Sequence, residues 1–323
     1  MLYIVTLLPP IIFVLLLVWL DSFSLVKTSM LISSFVWGCF SVAVAYLCIT
    51  IIGKWSDNLF AAPIIEEGIK GMGIVILIRM RKCAFFIDAA IYGAAIGAGF
   101  SFIENIVYIY YNPDMLLGTM LIRGFGTAIM HCGCVISTAT LLSWYAGSKN
   151  HFTILYCIAP IPAIVFHTIY NAVTIQPILL LLVTIVSISL WTILLFSYNE
   201  KSIGKWMDDE LSAEVTMLTA LKQGHFSASK TGQYMLSIKE QFAPECYFDM
   251  FCYVRLYYEL SLASKTNMMR AEAGFPVIKN KDDADKVNEF YILRKRIGKT
   301  AVIALSPIIK SDQLASWKIN SMA

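Results

Sequence analysis

Apolar positions run almost without a break along the first 196 residues, and polar residues gather in short interruptions between the runs. A hydrocarbon core of about 30 Å takes about 20 helical residues, because in lipid a helix satisfies its own backbone groups. Seven stretches reach that scale: Leu2–Leu20, Met30–Ile52, Ala61–Ile78, Phe85–Tyr111, Leu116–Ala146, Phe152–Thr174 and Pro177–Phe196. The first has no basic residue ahead of it and no small-residue cleavage site before Asp21, so it reads as an uncleaved span that Pro9 and Pro10 bend rather than break. From Tyr198 onward the pattern changes. Apolar residues recur every three to four positions over Asp208–Phe226, Cys246–Ala273 and Asp282–Ile309, with Gly- and Pro-containing breaks such as Ala273-Gly274-Phe275-Pro276. The expected architecture is all-α: a membrane-embedded body over residues 1–196 as a bundle of about seven spans, then a mostly helical cytoplasmic domain over 197–323.

Composition sharpens that division. Of the 47 Asp, Glu, Lys and Arg residues, 15 lie in residues 1–196 and 32 in 197–323. Hydrophobic residues make up 58 % of the chain and charged residues 15 %, against about 45–50 % and about 25 % in soluble domains. A net charge of +3 without a long basic, aromatic-interleaved run excludes a nucleic-acid partner. The eight cysteines form no disulfide framework: Cys39, Cys48, Cys132, Cys134 and Cys157 fall in apolar stretches, and Cys132/Cys134 lack C-x-x-C spacing. Seven spans would put the loops with Lys27, with Arg79, Arg81 and Lys82, and with Lys149, together with Lys201 and Lys205, on one side. Lys54 stands alone on the other. The positive-inside rule then sets a cell-membrane protein with its N-terminus outside and its C-terminal domain in the cytoplasm. In that domain Arg294, Lys295, Arg296 and Lys299 give the last helix a basic face, suited to solvation or to contact with anionic lipid or a regulatory partner.

Chemistry is carried by ionisable groups inside the spans, which cost about 2.5–3.5 kcal/mol at the centre of a membrane helix and therefore need a partner, a water cavity or a task. The third span holds Glu66, Glu67 and Lys70, the fourth Glu104-Asn105, the fifth Arg123 and His131, and the sixth His167 and Asn171. Glu66 and Lys70 have the spacing of a helical ion pair, which leaves Glu67 and Glu104 unexplained. Arg123, Thr127 and His131 share a helical stripe, so Arg123 serves the carboxylates as counter-charge or snorkels outward. Asp88 suits the start of its helix, and Gly93, Gly97 and Gly99 suit close helix packing. Counting inward, Glu66, Glu104 and His167 fall in the outer half of the membrane, with His131 deeper at about 22 Å. His151 and His225 lie in a loop and in the tail, outside this set.

Hydrolysis needs an activated water, and carboxylates with imidazoles withdrawn from bulk solvent supply the general base. The same groups would also suit a proton- or ion-coupled transporter, although no inverted repeat is visible. Haem ligation by His131 and His167 leaves the carboxylates without a purpose. A catalytically silent scaffold leaves the complete acid–base set without one.

The run Glu66-Glu67-x-x-Lys70, Phe100-x-x-x-Glu104-Asn105 with Tyr108 following, an isolated His131 and His167-x-x-x-Asn171 resembles the PrsW family of intramembrane proteases, related to the CAAX prenyl endopeptidases. The resemblance covers roughly residues 55–175 and rests on the order of the motifs on four successive spans. It implies cleavage of a single-pass membrane protein, such as an anti-sigma factor, at the lipid bilayer. By that resemblance Glu66 is the base, His131 helps to hold the water, and His167 with Asn171 stabilises the oxyanion. Glu67 and Glu104 orient these groups or pass the proton. A metal-free glutamate mechanism is favoured, with Zn²⁺ held by Glu66, Glu104, His131 and His167 as the alternative.

Overall fold

A computed structural model describes residues 2–53, 58–83, 85–114, 116–145, 156–172, 176–278 and 281–309, so Lys54, Lys149 and His151 lie outside the described residues. The described residues are helical, and they divide into two compact units, Met1–Asn199 and Glu200–Ala323. In the first unit α1 (Leu2–Trp19) runs unbroken through Pro9 and Pro10. It is followed by α2 (Thr28–Ile52), α3 (Ala61–Arg79) and α4 (Phe86–Tyr111). A short α5 (Leu117–Leu121) passes through a π-helical turn, Ile122–Thr127, into α6 (Ala128–Tyr145). After it come α7 (Ile161–Ala172) and the first part of α8 (Pro177–Lys222).

Length and composition qualify four helical segments as membrane-crossing: Thr28–Ile52, Phe86–Tyr111, Leu117–Trp144 and Pro177–Gly204. Seven stretches were expected from the pattern; α1 is apolar but shorter, and α7 has only 12 residues. The reason for the shortfall of α3 lies in its sequence. Glu66, Glu67 and Lys70 interrupt its apolar run, and Glu67 and Lys70 are buried inside the protein.

Burial divides the four long segments into two kinds. Most of the windows on α4 and α5–α6 are enclosed by protein, whereas little of those on α2 and α8 is buried. The enclosed pair is also the less apolar one, because it carries the polar site residues. Glycine lets the two central helices meet. A Cβ on Gly97 would lie 2.6 Å from both the Cys132 Cα and the His131 carbonyl oxygen, so α4 and α6 touch backbone to backbone at the level of His131. Gly99 instead faces α2, where its Cβ would meet the Phe35 carbonyl oxygen. At the start of α4 the buried Asp88 accepts from the Phe85 N–H at 3.1 Å, capping donors that the helix leaves unpaired.

The second unit holds the end of α8 with α9 (Lys230–Ile238), α10 (Pro244–Glu272) and α11 (Lys281–Ala304). Its core includes Met250, Tyr253, Leu260, Phe290 and Leu293, with Tyr253 stacked on Phe290 at 4.3 Å. A buried ion pair joins Lys265 to Glu214 at 3.0 Å, and Ser261 donates to the same carboxylate oxygen. Gly298, at φ 76°, breaks the helical path inside α11. On that helix Arg296 pairs with Asp249 at 3.0 Å.

Candidate active site

Four helices deliver the site. α3 brings Glu66, Glu67 and Lys70, α4 brings Glu104, α6 brings His131, and α7 brings His167. Lys70 is wholly buried; its Nζ donates to Glu67 Oε1 at 2.5 Å and to His131 Nδ1 at 3.0 Å, and lies 4.2 Å from the centre of the Phe100 ring. An ammonium group has donors and no acceptor, so His131 Nδ1 accepts and its Nε2–H donates to Glu104 Oε2 at 2.9 Å. The other oxygen of Glu104 faces Arg123 Nη2 at 3.3 Å.

His167 is fixed from its opposite side. Its Nδ1 lies 2.9 Å from Glu67 Oε1, and since an ionised carboxylate only accepts, Nδ1 carries the hydrogen. That leaves Nε2 facing Glu66 Oε2 at 3.9 Å, beyond direct hydrogen-bond distance. The two imidazoles meet edge to face, with centroids 4.9 Å apart. His131, the deepest group by counting along the sequence, therefore adjoins the others. Exposure separates one of the three carboxylates from the other two. The Glu67 side chain is 0 % exposed, whereas those of Glu66 and Glu104 are 17 % and 36 % exposed.

The structure thus joins Glu66, Glu67, Glu104, His131 and His167 in one cluster. Asn171, one turn beyond His167, is exposed and has no hydrogen-bond partner among the described residues. The spacing suggested a Glu66–Lys70 pair; the lysine turns instead to Glu67, where it also reaches His131. Sequence reading gave no position to the rings of Phe100 and Tyr108, although both stand in the quoted motif. Tyr108 lies under the Arg123 guanidinium at 3.8 Å.

The donor set suits a metal ion. Glu66, His131 and His167 each offer a ligand atom, and those atoms lie within 4.8 Å of one another. Glu67 orients His167 as a carboxylate behind a metal-bound imidazole does, and Glu67 Oε2 is buried without a hydrogen-bond partner. His131 would have to release Lys70 or Glu104 to ligate, since both its ring nitrogens are engaged. Glu104 stands behind His131 rather than in this group of three.

A helical protein with four segments long and apolar enough to cross a membrane, and with carboxylates and imidazoles converging from separate helices, has the makings of a membrane-embedded hydrolase. The match to the PrsW family intramembrane metalloprotease model over residues 26–197, more than half of the chain, places it in that family. The chain is an intramembrane protease, and the transporter alternative is not favoured. No curated protein and no solved structure matches it.

Proposed function

We propose that the protein hydrolyses a peptide bond of a membrane-anchored regulatory protein, such as an anti-sigma factor, with a water poised between Glu66 and His167. The observation that carries this reading is the 3.9 Å facing of Glu66 Oε2 and His167 Nε2, two acceptors suited to the two hydrogens of one water. Glu66 takes a proton as the water oxygen bonds to the scissile carbonyl carbon. The C–N bond then breaks, and Glu66 returns the proton to the leaving nitrogen. Asn171, exposed one turn from His167, donates to the developing oxyanion. The water-holding task expected of His131 passes in this reading to His167, while His131, Glu67, Lys70 and Glu104 hold the frame. A metal, when bound, would be held by Glu66, His131 and His167 and would supply Lewis-acid polarisation and a more acidic water.

Seven spans, with the N-terminus outside and the second unit in the cytoplasm, remain the topology that the basic-residue asymmetry supports. The decisive comparison is of membrane-protein fragments between cells carrying the wild-type chain and cells carrying Glu66→Gln at equal level. Fragments present only with wild type are expected; identical fragment sets would refute the proposal. Metal content of the purified chain, with cleavage measured after chelation, separates the metal-bound from the metal-free version.

A further inference from the structure

The turn Ile122–Thr127 is π-helical inside an otherwise α-helical span, and such turns take one extra residue into the helix. Its effect on direction is calculable. Eight residues of uninterrupted α-helix would leave Arg123 and His131 about 80° apart around the axis. One extra residue in the turn removes about 100° of rotation and leaves them about 20° apart. Both then reach the same carboxylate: Arg123 Nη2 lies 3.3 Å from Glu104 Oε1, and His131 Nε2 lies 2.9 Å from Glu104 Oε2.

Arg123 is itself held on two further sides. Its Nε donates to Asn105 Oδ1 at 3.1 Å, and its guanidinium lies 3.8 Å from the centre of the Tyr108 ring. Asn105 is anchored in turn, donating to the Thr6 carbonyl oxygen of α1 at 3.3 Å. The turn is gripped by its neighbours. A Cβ on Gly124 would lie 2.4 Å from the Val5 carbonyl oxygen, and one on Gly126 would lie 2.8 Å from the Tyr170 hydroxyl. Thr127 Oγ1 and the Tyr170 hydroxyl share a hydrogen bond at 3.1 Å, tying the turn to the helix that bears His167.

We propose that Arg123, aimed by the π-helical turn, is a positioning residue: it fixes the Glu104 carboxylate and through it the orientation of the His131 ring. Charge alone does not account for this arrangement. A counter-ion for Glu104 needs neither the ring of Tyr108 beneath it nor the Asn105 amide beside it, whereas a guanidinium that must hold one carboxylate oxygen in place needs both constraints. The inference rests on the protease reading for its purpose, but its test needs no cleavage.

The chain has four histidines, so the full-length protein with ¹⁵N-labelled histidine gives a spectrum simple enough to follow each ring. In the wild type the His131 Nε2–H bonded to Glu104 should appear as a downfield proton. Arg123→Gln should shift or abolish that signal and leave His225 of the second unit unmoved, and Arg123→Lys should restore part of it. Tyr108→Leu, which keeps every charge, should produce a smaller shift in the same direction. Unchanged His131 signals in Arg123→Gln would overturn the proposal. Should that variant not fold, Tyr108→Leu decides: a shift at His131 with His225 unmoved supports positioning, and no shift at His131 refutes it. A failure here leaves the protease reading standing, because that reading falls only on the Glu66→Gln fragment comparison.

Discussion

A lysine with no exposed surface is tolerable only when its charge is matched and its hydrogens are used. Lys70 meets that condition through Glu67 and His131, with the Phe100 ring against its ammonium. Removing it would leave Glu67 buried without its cation, and loss of one member of a buried pair costs about 3–5 kcal/mol. Lys70→Met is therefore expected to lower the thermal midpoint of the detergent-solubilised protein clearly, whereas Glu66→Gln, at a partly exposed side chain, should leave that midpoint nearly unchanged. A thermal unfolding scan of both variants checks this. At this scale the sequence was informative about which residues matter and less so about how they pair. Glu66 and Glu67 are both within helical reach of Lys70, and the choice between them is made by His131 and His167, which arrive from helices 61 to 100 positions further along the chain. Local spacing carries no record of such partners.

Helix packing fixes how far apart those partners stand. The α4–α6 contact at Gly97 leaves no room for a side chain, and the atoms in the way are backbone. Overpacking of this kind costs about 1–3 kcal/mol where neighbours can yield. Gly97→Ala should lower the folded yield and, in whatever protein folds, reduce cleavage by displacing His131; measurement of both quantities on membranes of equal protein content tests the link. The small-residue stripe was legible from Gly93, Gly97 and Gly99, but not that Gly99 serves α2 while the other two serve α6. The π-helical turn was not legible. Apart from Arg123, nothing in Ile122-Arg123-Gly124-Phe125-Gly126-Thr127 departs from an ordinary apolar helix with two glycines, and the neighbours the turn packs against, Val5, Thr6 and Tyr170, lie far away in sequence.

Across the whole molecule, the split between an apolar body and a charged tail was visible in the distribution of charges, because lipid excludes them and water does not. The number of crossings was not settled by hydropathy, since α3 trades apolar length for the acids and lysine it carries. Stability as a function of pH belongs to this scale too. Asp21 lies in the turn between α1 and α2, accepts from the Val26 N–H at 3.1 Å, and leaves Oδ1 buried without a hydrogen-bond partner. Burial pushes its carboxyl up to about 6, against the lowering effect of nearby backbone N–H groups. The folded chain thus holds this proton more tightly than the unfolded chain, whose carboxyl titrates near about 3.9. The contribution of Asp21 is fully present below that value and is lost as pH rises through about 6. Asp21→Asn should flatten the fall in thermal midpoint between those two pH values; an equal fall in the variant would assign it to other groups.

The dispersal of the acid–base set along the chain also bears on how the enzyme comes into being. Chains emerge from the ribosome N-terminus first, and the pair proposed to hold the water is split between residue 66 and residue 167. A nascent polypeptide that has delivered only α3, α4 and α6 to the bilayer holds a base with nothing opposite it. In the proposed mechanism such an unfinished chain is inert toward its membrane neighbours, and destructive capacity arises only when one of the last helices of the body has docked.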